Sequence, residues 1–209
     1  RLANSAKQLD RMSVEWERVE GVNGRQLPDF EIARVYDARK NAKLGKLPLV
    51  RGEIGCYLSH ISCWEKIAAG PANGGFVLED DFAASPNLPE AMAALSSDYS
   101  DWDMVKLFSF DPKPRMVRER DLQNGLRLGI PYKVPTCLIG YGLTRDGARL
   151  LLKNAIPFFR PVDEDQKFFW ETGLRVAVVL PAPILVGDQS AETGTIGDSR
   201  RGDTSKERG

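Results

Sequence analysis

The sequence predicts an α/β fold, and three observations carry that prediction. Gly74-Gly75-Phe76-Val77-Leu78 reads as a short buried strand, with three β-forming residues after a glycine pair. It runs directly into Glu79-Asp80-Asp81. Upstream, residues 52–69 put Ile54, Leu58, Ile61 and Ala68, with Tyr57 and Trp64 beside them, on one helical face, and Gly70-Pro71 ends the helix. Downstream, apolar runs at 103–108, 136–143 and 174–180 read as strands, interleaved with helical patterns at 88–95 and 144–155.

The acids at the end of the first strand need an explanation. Three adjacent carboxylates repel one another and lose solvation if buried. They are either a solvated loop or a site for something positive. A divalent cation fits, because carboxylate oxygens are natural ligands of Mg²⁺ and Mn²⁺. Strand ends in α/β sheets are also where ligands bind.

The bulk numbers narrow the class. A chain of 209 residues supports one good core or two small ones. Hydrophobic content of 42% and charged content of 28% are ordinary for a soluble domain. Lys+Arg and Asp+Glu both number 29, which argues against bulk nucleic-acid binding. No apolar run reaches the roughly 18 residues of a membrane span, and no secretory signal is visible. The three cysteines, Cys56, Cys63 and Cys137, form no paired framework, so reduced thiols and a cytoplasmic location are expected. The first residue is Arg rather than Met, which suggests that an N-terminal piece precedes it.

In chain order, residues 1–11 read as a helix that would follow an upstream strand. Residues 14–19 read as a short strand, and 25–50 as a loop with one helical piece around 30–39. The helix at 52–69 begins Gly-Glu-Ile-Gly. Small residues there either open the free N–H groups to an anion or serve a tight turn. Cys56, His60 and Cys63 fall at i, i+4 and i+7 on this helix. They make a small-residue packing face, or three zinc ligands with no separate pair to complete a structural set. Ser59 and His60 are placed to reach toward the acids.

Lys106, inside the strand at 103–108, is costly unless an acid or a substrate phosphate pairs it, or unless the strand is an edge with Lys106 facing water. Residues 111–135 are basic and read as a β-hairpin or a mobile flap. Thr144 is the expected N-cap of the following helix. In Pro161-Val-Asp-Glu-Asp-Gln166, Asp163 reads as a helix cap paired with Gln166. An acid at such a helix start, facing a cation site, is also a candidate general base. From Gly187 onward the chain is polar, either a frayed tail or a segment that folds over a ligand.

Several motifs then stand in one order: Gly52-Glu-Ile-Gly-Cys-Tyr-Leu-Ser-His60, Val77-Leu-Glu-Asp-Asp81, Asp101-Trp-Asp-Met-Val-Lys-Leu107, Tyr141-Gly-Leu-Thr-Arg-Asp-Gly-Ala148 and Pro161-Val-Asp-Glu164. Together they resemble glycosyltransferase family 25, the lipopolysaccharide-biosynthesis type that also includes collagen galactosyltransferases, over residues 16–200. The resemblance implies a GT-A-like single domain over residues 1–187, with a mixed, mostly parallel sheet flanked by helices and a polar tail over 188–209. It implies a metal-dependent, inverting transfer of a hexose, galactose or glucose, from a UDP-sugar to a hydroxyl of a lipopolysaccharide or other surface glycan. Mn²⁺ or Mg²⁺ would be held by Asp81 and Glu79. Gly52, Glu53, Ser59, His60, Glu79, Asp80 and Lys106 would bind the donor. Asp163 is the first candidate for the catalytic base, followed by Glu164 and Asp165. A lipid-linked acceptor would bring the protein to the cytoplasmic face of a membrane as a peripheral partner.

Two departures from the family pattern stand out. The family's opening strand is absent, and its Ser/Asp-rich C-terminal motif is matched only loosely by Ser190-Ala-Glu-Thr193 and Thr195-Ile-Gly-Asp-Ser199. The rival readings are a metal-dependent phosphohydrolase, which the single histidine and the lack of a second Asp/His cluster disfavour, and a non-catalytic nucleotide-sugar-binding module.

Overall fold

Residues 1–187 are described by the computed structural model. Their elements are α1 (Leu2–Arg11), α2 (Asp29–Val35), α3 (Ala38–Leu44), α4 (Arg51–Ala69), β1 (Gly74–Leu78), β2 (Phe82–Ala84), α5 (Leu88–Ser96), β3 (Met104–Lys106), β4 (Met116–Asp121), β5 (Arg127–Pro131), β6 (Gly140–Thr144), α6 (Arg145–Lys153), α7 (Val162–Asp165), α8 (Phe169–Thr172), β7 (Val176–Leu180) and β8 (Ile184–Val186). The expected α/β class forms.

Strand alternation sets the layers. Met104 and Val176 enter one core, whereas Val105, Ala177 and Val179 enter the other. Helices α4 and α6 close the first core with Ile54, Ile61, Trp64, Ala148 and Leu151. Helices α1 and α5 close the second with Leu9, Leu88, Ala91 and Leu95. The result is one sheet with helices on both faces.

The sheet has six strands in the order β1-β6-β3-β7-β5-β4, and a separate two-stranded sheet pairs β2 with β8. It is mixed, as expected, but β3·β7 is its one parallel pairing and the other four are antiparallel. Strands β4 and β5 are joined by a short turn, which only an antiparallel pair allows, while β3 and β7 are separated by a long crossover that includes α6. The basic stretch 111–135 is therefore a hairpin at the sheet edge.

Several expectations are corrected. Among the described residues, 14–19 join no strand; Val14 packs against the second core, and Trp16 Nε1 donates to Asp10 Oδ1 (2.9 Å). The single helical piece expected near 30–39 is two helices, α2 and α3, broken where Tyr36 bridges to Phe158. Strand β1 is not interior but the opposite edge of the sheet, half-buried along its length. Strand β3, in contrast, is central, so Lys106 does not face water. The strand expected from residue 136 begins only at Gly140, because Cys137 adopts a left-handed backbone (φ 75°) that cannot continue a ladder.

Thr144 caps α6 as expected, its Oγ1 accepting the Gly147 N–H at 2.9 Å. Asp163 does not cap α7: Pro161 holds the N-cap position and no side chain caps it, while Gln166 is buried. Of the two glycines that open α4, Gly55 serves the chain itself. A Cβ on Gly55 would lie 2.5 Å from the Val22 carbonyl oxygen, so Gly55 lets the loop before α2 cross the helix.

Candidate active site

The end of β1, the first half of α4 and the start of α7 meet at a cleft of about 1280 Å³. Among the sequence-predicted residues, Glu53, Ser59, His60, Glu79, Asp80, Asp81 and Asp163 line it. Gly52, Lys106 and Glu164 do not.

Glu79 follows the last residue of β1, and its N–H donates to the Ile139 carbonyl (2.9 Å), which fixes where the carboxylates emerge. His60 sits one helical turn after Cys56 on α4 and reaches Glu79, with Nε2 3.2 Å from Oε1. Its other nitrogen, Nδ1, lies 2.9 Å from Tyr141 Oη, which also accepts the Trp64 indole N–H at 2.8 Å. The Tyr141 hydroxyl thus lies between the Trp64 indole and His60 Nδ1, which leaves His60 Nε2 directed at Glu79. Tyr141 and Trp64 are fully buried, and burial holds the Tyr141 hydroxyl well above its ordinary pKa.

Asp81 is the most exposed to electrostatic conflict. Its Oδ1 is enclosed without a hydrogen-bond partner among the described residues. Burial, then the neighbouring Glu79, raises its pKa, and the Arg1 guanidinium, 3.7 Å from Oδ2, works in the opposite direction. Asp80 is more exposed, and Arg1 lies 3.8 Å from its Oδ1. An enclosed carboxylate oxygen without a donor, beside a second carboxylate, is a donor set suited to a hard divalent cation.

Glu53 and Ser59 line the cleft but are partly used by the chain. Glu53 Oε2 accepts the Val50 N–H (3.0 Å) at the start of α4, while the Ser59 hydroxyl donates to the Gly55 carbonyl (2.8 Å) and accepts the Val22 N–H (2.8 Å). Lys106 is fully buried behind the cleft, and its ammonium donates to the Cys137 carbonyl oxygen. Burial lowers its pKa to about 8, against the opposing pull of Cys137, Asp163 and Glu79.

The three acids of α7 separate clearly. Asp163 faces the cleft, where its Oδ2 is 3.4 Å from the Cys137 N–H. Glu164 points to the basic surface, 3.4 Å from Lys46 and 3.8 Å from Lys167. Asp165 accepts the Tyr57 hydroxyl at 2.6 Å and pairs with Arg160 Nε at 2.9 Å, so it is a packing group. Arg160 itself is buried over the rings of Phe159 and Phe168.

Sequence reasoning missed three contributors. Cys56 was visible only as one of a helical trio with His60 and Cys63. In the fold, Cys56, His60 and Glu79 bring their donor atoms within 4.8 Å of one another, so Glu79 takes the third place. Burial, then Glu79, Asp163, Glu53 and Asp81, pushes the Cys56 thiol up to about 12. Tyr141 and Cys137 carried no local signal for their roles. The motifs at Ser190–Thr193 and Thr195–Ser199, and the polar tail expected over 188–209, lie outside the described residues.

These features define an α/β protein whose sheet edge delivers a cluster of carboxylates, backed by a buried lysine, into one large cleft. Residues 1–165 match the model of glycosyltransferase family 25 (LPS biosynthesis protein), and the chain belongs to that family. It is 28% identical over 168 residues to a glycosyltransferase 25 family member of Anopheles gambiae, covering 76% of this chain and 27% of that one. It is 29% identical over 167 residues to procollagen galactosyltransferase 1-B of Xenopus laevis, covering 75% and 26%. It is also 32% identical over 123 residues to inactive glycosyltransferase 25 family member 3 of Mus musculus, covering 56% and 20%. The chain thus spans about a quarter of the length of the first two relatives. Among the described residues, no helix is long and apolar enough to cross a membrane.

Proposed function

We propose that this chain moves a hexose, galactose before glucose, from a UDP-sugar to a glycan hydroxyl, with inversion at the anomeric carbon and with Mn²⁺ or Mg²⁺ bound. The single observation that carries this reading is the enclosed Asp81 Oδ1, without a partner beside Glu79, in the same cleft as Asp163. Asp81 and Glu79 would hold the cation, which when bound offsets the charge that grows on the departing diphosphate.

The chain's own residues supply the rest. The acceptor hydroxyl oxygen attacks the anomeric carbon while Asp163 takes its proton. The bond from that carbon to the diphosphate oxygen breaks, and its electron pair leaves with UDP. Glu53, Ser59, His60 and Asp80 border the donor, and Gly52 lies at the start of the same helix. Lys106 adds positive potential from behind the cleft wall. Asp163 takes precedence over Glu164 because Glu164 does not line the cleft.

The family description supports a lipopolysaccharide-type or other surface-glycan acceptor, and the galactosyltransferase name among the relatives supports galactose. A lipid-linked acceptor would make the protein peripheral at the cytoplasmic face of a membrane; the three free thiols support a cytoplasmic setting. The second reading, a non-catalytic nucleotide-sugar-binding module, is favoured by the similarity to a relative named inactive.

Free UDP, measured with each UDP-hexose and with and without a lipooligosaccharide acceptor, tests these readings. Acceptor-dependent release is the expected result. Release without acceptor would replace transfer by hydrolysis, and nucleotide binding without release would favour the non-catalytic module.

A further inference from the structure

We propose that Cys56, His60 and Glu79 form a three-ligand site for a borderline divalent cation of the Zn²⁺ type, with its remaining position open to the cleft. Glu79 is common to this donor set and to the hard-cation pair proposed with Asp81, so the two cations are alternative occupants of one carboxylate, and the site does not depend on the transferase reading.

The geometry is specific. Cys56 and His60 stand at i and i+4 on α4, so both side chains lie on one face. Glu79 enters from the end of a different element, held by its N–H bond to Ile139 (2.9 Å). The three donor atoms lie within 4.8 Å of one another, and the His60 and Glu79 pair is already at 3.2 Å. Zinc bond lengths and a tetrahedral angle call for ligand separations of roughly 3.3–3.7 Å. Closing the remaining gap needs side-chain adjustment on the order of 1 Å.

The donor set has the mixed character that suits zinc, one thiolate, one imidazole and one carboxylate. It differs from the all-oxygen environment of Asp81. Three protein ligands with a solvent-facing fourth position is the arrangement of an open zinc site. The supporting layer is also present. His60 Nδ1 lies 2.9 Å from the buried Tyr141 hydroxyl, which Trp64 holds in turn, and ligating imidazoles characteristically bond through their far nitrogen in this way. Two further carboxylates, Asp81 and Asp163, border the same cleft and favour a cation there.

Proton balance is simple. Binding displaces the Cys56 thiol proton to solvent. The imidazole would ligate through Nε2 with its hydrogen on Nδ1, the nitrogen that faces Tyr141 Oη.

Co²⁺ alone, titrated into the reduced protein, tests the proposal, because thiolate coordination gives a sulfur-to-cobalt charge-transfer band that oxygen ligands do not. The band is expected at one Co²⁺ per chain, bleached by Zn²⁺, retained in Cys63→Ser and Asp81→Asn, and lost in Cys56→Ala. His60→Gln should weaken Zn²⁺ binding by at least about tenfold in chelator competition. Circular dichroism verifies that each variant is folded. Absence of the band in the unsubstituted protein, or its persistence in folded Cys56→Ala, overturns the site. A failure of UDP release alone would leave these spectra unchanged, so the two proposals fail separately.

Discussion

The ammonium of Lys106 donates to the carbonyl oxygen of Cys137, and the left-handed backbone at Cys137 (φ 75°) accompanies that contact. The same residue offers its N–H to Asp163, 3.4 Å away. A buried cation on the central strand is thereby linked through one strained residue to the acid that faces the cleft. Such non-glycine conformations cost on the order of 1–3 kcal/mol and persist where surrounding structure enforces them.

That burial has a pH signature. Lys106 falls from its ordinary 10.5 to about 8 in the folded state, chiefly through desolvation. Below pH 8 both folded and unfolded chains carry the proton, and the folded state bears the full cost. Between about 8 and 10.5 the unfolded chain binds more protons, so this residue's contribution to stability rises with pH. At 1.36 kcal/mol per pKa unit the full change is about 3 kcal/mol. The buried thiols titrate in the opposite sense, so the difference between the unsubstituted protein and Lys106→Met isolates the effect. Urea unfolding of both from pH 7 to 10.5 should show the unsubstituted protein gaining on the variant; parallel curves would contradict the shift.

Asp81→Ala should leave the fold intact, because the residue it removes contributes an oxygen without a partner and repels Glu79. The melting temperature without ligand is expected to stay the same or rise slightly. The increment produced by UDP together with Mn²⁺ should disappear, since binding to the folded state is what raises it. A preserved increment would remove Asp81 from the cation site.

Asp163→Asn should keep donor affinity and lose roughly 10²–10⁴-fold in turnover, the usual contribution of a positioned base. Nucleotide affinity by calorimetry and initial rates of UDP release read the two quantities separately. Unchanged turnover would remove Asp163 as the base.

Asp165→Ala should act on stability. It breaks a buried pairing with Arg160 and leaves the Tyr57 hydroxyl without its 2.6 Å acceptor. Arg160 keeps its Glu171 partner, so a loss of about 1–3 kcal/mol follows, chiefly from the unpaired Tyr57 hydroxyl. Denaturant midpoints check it, and a loss of turnover without a loss of stability would reassign the residue to the chemistry.

Much of the local structure was legible. The apolar face of α4, the glycine and proline after it, and the Thr144 cap are short-range signals, and each element formed within a residue or two of its predicted bounds. The carboxylates after β1 were legible as well, and their meeting with His60 was one of the alternatives that the helix spacing left open. What the sequence could not show was pairing. Residues 14–19 have strand-like composition but gain nothing without a neighbouring edge, and the same blindness hid that β1 is an edge and β3 central.

By itself, then, the sequence determined the α/β class, the main helices, the acidic strand end and the family motifs, because periodicity and caps act over a few residues. Only the tertiary structure decided that Tyr141 orients His60, that Glu79 joins Cys56, that Asp163 faces the cleft while Glu164 and Asp165 turn away, and that Lys106 lies dry behind them. The contacts of His60 with Glu79 and with Tyr141 join residues 19 and 81 positions apart, and that of Tyr57 with Asp165 joins residues 108 apart. Charge, burial and hydrogen bonding between such partners exist only once the sheet order has brought them together.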